Sequence, residues 1–326
     1  MADTTSLPYD SILSTTLYNY ATTLENNVFQ ARPLLNWLKS KNRIKTYSGG
    51  ARIVVPIIEG ANDTAGTFAQ YDTLPTTPQD GMTAAEYLWK QAAVSVAIAG
   101  LEEQQNNGKE AIIDLLQAKI MQAEESLADL FVKEFLSDGS ATATSWNGLS
   151  AAVGDAAFGG LDPAGHTTWS SYVDDTAKAL QISDMSAAWN GTAQGGSDTP
   201  DMIATSQELW EKYESLLQPQ LRYSDPSTAD AGFVNLLYRG APVVFDYAID
   251  NASVFSGDYA NTNDTGVMYF LNSKHVWIAR GSDKWFTSTP FIRPTNQDAR
   301  YAQIICYGNL VTNCRRRLGK ITNKTA

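Results

Sequence analysis

The chain has 326 residues, 43% hydrophobic and 10% aromatic, which is enough to bury a sizeable core and excludes disorder as its general state. Its formal net charge is −11, which excludes a generally basic nucleic-acid coat. No run approaches the roughly 18 apolar residues of a membrane span.

The charge is unevenly placed. Residues 1–45 hold 5 basic and 3 acidic groups, residues 286–326 hold 7 and 1, and residues 46–285 hold 12 and 31. An acidic body repels nucleic acid and favours solubility. The basic ends could meet acidic surfaces of neighbouring copies, or nucleic acid at Arg315, Arg316 and Arg317. A solvated or ion-paired tail is the plainer reading of that arginine run. Only Cys306 and Cys314 occur. They build no disulfide framework and read as small buried thiols made in a reducing cytoplasm. Residues 1–16 have no charged start, apolar core or cleavage site, so they do not read as a secretory signal.

In chain order, residues 1–45 carry isolated large apolar residues, including Tyr9, Ile12, Leu17, Phe29, Leu34, Leu35, Trp37 and Leu38. They are too sparse for a core of their own, which predicts an arm lying on another surface, with a short helix after Pro33. SGGARIVVPIIEG from Ser48 is a β-branched run interrupted by Pro56, which suits an edge strand or a protruding hairpin. A polar stretch of Gly, Pro, Asp and Thr follows. The return segment TAAEYLWKQAAVSVAIAG alternates Val94, Val96 and Ile98 with small residues. Residues 46–100 therefore predict one long two-stranded excursion, which cannot bury itself and must lean on something outside its own domain.

Residues 107–136 predict one long helix. Ile113, Leu116, Ile120, Ala123, Leu127 and Leu130 follow one another at steps of three and four, which places them on one face. Asn107 with Glu110 has capping-box spacing, and Gly139 is placed for a C-terminal stop. Such a helix would span roughly 45 Å. Leu115, Phe131, Val132, Phe135 and Leu136 widen the stripe beyond a coiled-coil seam, so a sheet is expected against it.

Beyond a Gly, Ala, Ser and Thr-rich stretch at 139–170, helical texture is expected from Tyr172 to Trp189 and a strand in PDMIAT. Thr205 with Glu208 has capping-box spacing for a helix bearing Leu209, Trp210, Tyr213, Leu216 and Leu217. GFVNLLYRGAPVVFDYAI reads as two strands turning at Arg239 and Gly240, and GVMYFLN and HVWIARG as two more. In the last block Tyr301, Gln303, Ile305 and Tyr307 alternate with Ala302, Ile304 and Cys306, which predicts the strand that covers the long helix. The helical domain would then be closed by the chain's end, with residues 149–284 inserted as a second domain.

Signals for chemistry are weak. His166 and His275 have no companion at metal-ligand spacing and read as structural. No GxSxG elbow or phosphate loop occurs, because Gly319 and Lys320 are followed by Ile321. Glu102 with Glu103, Glu124 with Glu125 and Asp174 with Asp175 are neighbours in sequence and diverge on a helix, so they suit a solvated face. NTNDTG from Asn261 lacks the acid of a calcium loop, having Asn272 at the twelfth position. Trp146, Trp169, Trp189, Trp210, Trp277 and Trp285 read as core, with a stacking platform as the alternative.

The order of arm, long hairpin, long helix, inserted domain and returning strands resembles the major capsid proteins of tailed bacteriophages, the Hong-Kong-97-like fold, over essentially the whole chain. GGARIVVPIIEG, GAPVVFD followed by MYFLN, and ARYAQIICYGNLVTNCRR carry the local likeness. The resemblance implies an α+β fold with an N-terminal arm at 1–45 and an extended loop at 46–95. It implies a peripheral domain at 96–148 and 285–326 containing a spine helix, and an axial α/β domain at 149–284. It implies pentamers and hexamers of this chain closing an icosahedral shell around double-stranded DNA, a portal, a virion location and assembly in the host cytoplasm. No enzymatic activity, cofactor, metal or membrane is implied. The implied intersubunit contacts are Trp37, Arg52, Phe68, Tyr71, Arg315, Arg316 and Arg317.

One subtype of the family crosslinks a lysine of the extended loop, but residues 46–89 contain none, so a noncovalent shell is expected. Because the chain starts with the arm, it is expected to be a mature form or to use a separate scaffolding protein. DNA contact would be nonspecific and modest, left to the basic ends. The competing classes are a virion decoration or carbohydrate-binding protein, for which the tryptophans could serve, and a hydrolase with carboxylates in a cleft.

Overall fold

The computed structural model describes residues 32–60, 62–74, 76–78, 81–105, 109–139, 142–193, 198–217, 236–249 and 266–325, with 103–105 and 109–117 described by their backbone alone. Most of the expected arm, the Asn107 and Glu110 cap, and nearly all of the loop from Asn261 lie outside the described residues.

The spine helix is Lys109–Leu136. Ile120, Ala123 and Leu127 are buried along it at helical spacing, and in the last turns Phe131, Val132, Phe135 and Leu136 are buried as well. The helix stops where Gly139 takes a φ of +73° and its N–H donates to the Ser137 hydroxyl at 3.1 Å.

A five-stranded sheet lies under it. Ile44–Tyr47 pairs in parallel with Val276–Gly281, which pairs antiparallel with the long strand Ala299–Thr312. Lys90–Ala99 runs antiparallel to the long strand from Ala99 opposite Ala299 to Lys90 opposite Gly308, and Thr287–Ser288 also pairs with it. The spine helix rests chiefly on Lys90–Ala99, not on the C-terminal strand expected to cover it. Ala92, Val96, Ile98, Ala302, Ile304 and Cys306 point into their shared core, so the period-two reading of both strands holds.

The second sheet has six strands, in the order Tyr172–Asp174, Gly319–Ile321, Met268–Leu271, Met202–Thr205, Ala241–Phe245 and Leu236–Tyr238. One face, with Ile203, Val243, Met268 and Phe270, packs on the helices Ile182–Thr192 and Gln207–Leu217. The other, with Met202, Ala204, Tyr269 and Leu271, joins the first core. Burial on both faces accounts for their continuous apolar runs. Arg239 at φ +48° and Gly240 at +90° make the expected turn between the last two strands.

Four expectations are corrected. Pro33–Ser40 is a helix, as its proline suggested, but Leu34, Leu35, Trp37 and Leu38 are buried in the subunit's own core. Their spacing makes one apolar face, and the nearest apolar surface takes it. Tyr172–Asp174 is a strand where helical texture was expected, because Gly319–Ile321 offers it a partner. The Thr205 hydroxyl donates to the Val267 carbonyl at 3.0 Å instead of capping the helix after it. Finally, two strands cross the expected division at 284 and 285. Val276–Gly281 belongs to the first sheet and Gly319–Ile321 to the second, while Lys324–Thr325 pairs with Lys178–Ala179.

Candidate assembly surface

Arg52–Ile58 and Met82–Leu88 form an antiparallel ribbon of seven rungs, from Arg52 opposite Leu88 to Ile58 opposite Met82. Alternation sorts its side chains. Ile53, Val55, Ile57, Ala85 and Tyr87 are buried, while Arg52, Val54, Pro56, Ile58, Met82, Glu86 and Leu88 face outward. Pro56 is tolerated because a two-stranded ribbon is all edge.

The inner face is covered by other parts of the subunit, as an excursion that cannot bury itself requires. The chain leaves the ribbon at Trp89, whose indole N–H donates to the Gly50 carbonyl at 2.9 Å. Residues 90–99 therefore build the first sheet and are no part of the excursion. The Tyr87 hydroxyl donates to the Thr312 carbonyl at 2.7 Å, and its ring meets Phe158 edge-on at 5.6 Å. Burial pushes the Tyr87 phenol well above its ordinary pKa, so it remains a donor. The Glu86 N–H donates to the Gly159 carbonyl at 2.8 Å, and the His166 imidazole meets the Glu59 carboxylate at the ribbon's neck.

The outer face and tip stay open. Of twelve exposed large apolar side chains among the described residues, seven belong to this one excursion: Val54, Ile58, Phe68, Tyr71, Leu74, Met82 and Leu88. Ile58 is 79% exposed and Tyr71 93%. Such clustering marks an interaction surface, whereas scattered apolar residues would not.

The expected contact residues separate into three groups. Phe68 and Tyr71 stand on the exposed tip, and Arg52 lies on the outer face paired with Glu86. Trp37 is 8% exposed inside the subunit, which corrects its assignment as a contact. Arg315 is also corrected, because it is fully buried. Its Nε donates to the Ala152 carbonyl at 3.0 Å, Nη1 to Ala156 at 2.6 Å and Trp169 at 3.1 Å, and Nη2 to Ala151 at 2.9 Å. Its guanidinium lies against the Phe158 and Trp169 rings, 5.3 and 6.0 Å from their centroids. Burial lowers its pKa to about 10, which leaves it charged at neutral pH. The signal that could have found it is its place at the chain's crossing from first sheet to second.

Arg316 and Arg317 line a groove of about 400 Å³ beneath the ribbon, with Glu59, Asp198, His275, Asn313 and Cys314. Asp198 gathers the donors there. His275 Nε2 lies 2.7 Å from it, Asn272 Nδ2 2.9 Å and Lys274 Nζ 3.1 Å, while His275 Nδ1 meets the Asn313 side chain at 2.9 Å. Desolvation works to raise the Asp198 pKa, but hydrogen bonds from His275, Asn272 and Lys274 outweigh it and hold the carboxyl well below the usual range. A depressed folded-state pKa contributes stability that is fully present above the unfolded Asp value of about 3.9 and lost as pH falls through the folded one. Asp198→Asn should therefore lower the melting temperature at pH 6 and flatten its decline on acidification. Melts from pH 6 to pH 2 check this, and an unchanged acid limb would remove Asp198 from the account.

Trp146, Trp169, Trp189 and Trp277 are buried and Trp210 and Trp285 half-buried, all within the two cores, so they form no exposed stacking platform. Among the described residues no group of three or more His, Cys, Asp or Glu side chains is placed to hold a metal ion. No helix among them is long and apolar enough to cross a membrane.

No family model and no curated protein matches this sequence. Solved structures do resemble its fold. The capsid asymmetric unit of cyanophage A-1(L) is 18% identical, with a TM-score of 0.62, over 90% of this chain and 93% of that one. A chain of Gordonia phage Cozz is 12% identical with a TM-score of 0.54, over 87% of this chain and 85% of that one. The holo-SrpI encapsulin of Synechococcus elongatus is 10% identical with a TM-score of 0.52, over 89% and 87%.

Proposed function

We propose that this chain, which has the Hong-Kong-97-like fold of those three structures, is the major capsid protein of a tailed bacteriophage. Copies of it assemble as pentamers and hexamers into an icosahedral shell around double-stranded DNA. The observation that carries the reading is the concentration of exposed apolar side chains on one ribbon and its tip, anchored at the root and bare outside. A surface of that kind has no use in a monomer and suits a strap across a neighbouring copy. Its role is assembly and not catalysis. A scaffolding protein and a portal would be its other partners, assembly would take place in the host cytoplasm, and DNA contact would be nonspecific.

The test is to purify the full chain, with and without a coexpressed scaffold, and inspect it by electron microscopy. Shells, tubes or rings are expected, dissociating to single chains in denaturing gels because residues 46–89 lack lysine. A chain lacking residues 60–80 should melt as the parent does yet remain unassembled. Assembly by that deletion variant would overturn the strap, and a parent that is monomeric under every condition would overturn the capsid reading. Shells that enclose protein and no nucleic acid would point instead to a compartment.

A further inference from the structure

The hairpin carries one sign of charge beyond its first rung. Between Ile53 and Trp89 the chain contains Glu59, Asp63, Asp72, Asp80 and Glu86 and no lysine or arginine. Asp63 and Asp72 flank the exposed Phe68 and Tyr71 on the tip. A surface that receives this tip must offer cations together with a place for extended chain.

The edge of the first sheet beside Arg43 and Lys45 offers both. Ile44–Tyr47 is an outer strand of the first sheet, and among the described residues it pairs with Val276–Gly281 alone, which leaves its other side as a strand edge. Arg43 and Lys45 lie two residues apart and so project from the same side of the chain. Lys45 Nζ sits 3.8 Å from the centre of the Trp277 ring. Its ammonium is pulled below the usual lysine pKa by burial and then by Arg43. Arg43 Nε is buried without a hydrogen-bond partner among the described residues. Nearby, Lys41 lies 3.9 Å from Asp201, and Arg280 Nε donates to the Thr46 hydroxyl at 2.8 Å. Among the described residues neither cation has a carboxylate within ion-pair distance, so an anionic segment arriving here would meet two cations that repel each other.

We infer that the Ile44–Tyr47 edge, with Arg43 and Lys45, receives the acidic hairpin tip of a second copy of this chain. The inference rests on the capsid reading and supplies what that reading lacks, the surface on which the strap lands. The tip lies along this edge, its backbone pairing with that of Ile44 and Thr46 while Asp63 and Asp72 approach the two cations. Because the contact is ionic at a surface, it weakens as salt shortens the screening length.

Charge exchange in the full-length chain tests it. Asp63→Lys with Asp72→Lys alters only the exposed tip and should leave the melting temperature unchanged while lowering the assembled fraction at low salt by about tenfold or more. Arg43→Glu with Lys45→Glu should lower the assembled fraction likewise, and the chain carrying all four substitutions should regain assembly. In a mixture of Lys45→Cys and Asp72→Cys chains, oxidation of assembled material should give a disulfide between different chains. If the parent assembles but the tip-reversed chain assembles equally well, or the four substitutions together rescue nothing, the inference is overturned and the capsid reading stands. Edge reversal that blocks assembly when tip reversal does not would assign the edge to another segment, such as the N-terminal arm, and would also overturn it. A parent chain that never assembles removes both.

Discussion

Arg315→Ala is expected to lower the unfolding free energy of the subunit by about 3–5 kcal/mol, a large part of the roughly 5–15 kcal/mol that holds a typical domain. The guanidinium answers the carbonyls of Ala151, Ala152, Ala156 and Trp169 from a position with no exposure. Alanine would leave those acceptors without donors and open a cavity between the Phe158 and Trp169 rings. Arg315→Met refills the volume but not the hydrogen bonds, so it should recover only part of the loss. Arg315→Lys keeps the charge, but one ammonium cannot reach acceptors that a planar fork spans, and it should fall between the two. Urea unfolding of the unassembled subunit lacking residues 60–80 measures all three without interference from shells. A loss below about 1 kcal/mol for alanine would mean that water or relaxed backbone serves those carbonyls as well.

That loss would be felt in both sheets. Arg315 follows the end of the long strand of the first sheet and precedes Gly319–Ile321 of the second, and it ties this crossing to the loop on which the ribbon stands through Phe158 and Trp169. Tyr87 reaches the same place from the ribbon, donating to Thr312. The anchor of the candidate assembly surface and the joint between the sheets thus share one cluster, and Arg315 variants should also lose assembly.

Gly148→Ala is the second large effect, and its cause is purely steric. At Gly148 the backbone has φ −93° and ψ 166°, which alanine adopts freely, but its β-carbon would lie 1.7 Å from the Ser137 carbonyl oxygen and 2.4 Å from the carbonyl carbon. Both atoms belong to backbone, so the end of the spine helix and the loop after it must separate. A cost of about 3 kcal/mol or more is expected. Gly160→Ala is the matched control. Gly160 has φ +78° with nothing within 4 Å of an added β-carbon, so only the left-handed conformation is penalised, by about 1–2 kcal/mol. Thermal melts of the two variants should separate clearly, and equal shifts would show that the 137–148 contact relaxes without cost.

Several parts of the architecture were legible because they are local. The spine helix ends at Leu136 as expected, since a run of steps of three and four admits one regular conformation. The alternation in 94–98 and 301–307 marked strands and sorted their two faces, and Arg239–Gly240 marked a turn. The hairpin was legible for the same reason, but its tip was expected to be polar, and only the structure shows Phe68 and Tyr71 exposed on it.

What the amino-acid sequence determined by itself is therefore which segments are regular and which of their faces are apolar, because periods of two and 3.6 residues are set by each segment's own backbone. What only the tertiary structure decided is which partner each face meets. Trp37 went into the subunit's own core, the chain left the ribbon at Trp89 for another sheet, strands at 276–281 and 319–321 exchanged their expected layers, and Arg315 became a buried tie. An apolar or cationic side chain carries a demand for burial or for acceptors but no address. The surface that meets the demand is assembled from residues far apart in the chain, so it exists only once the chain has folded.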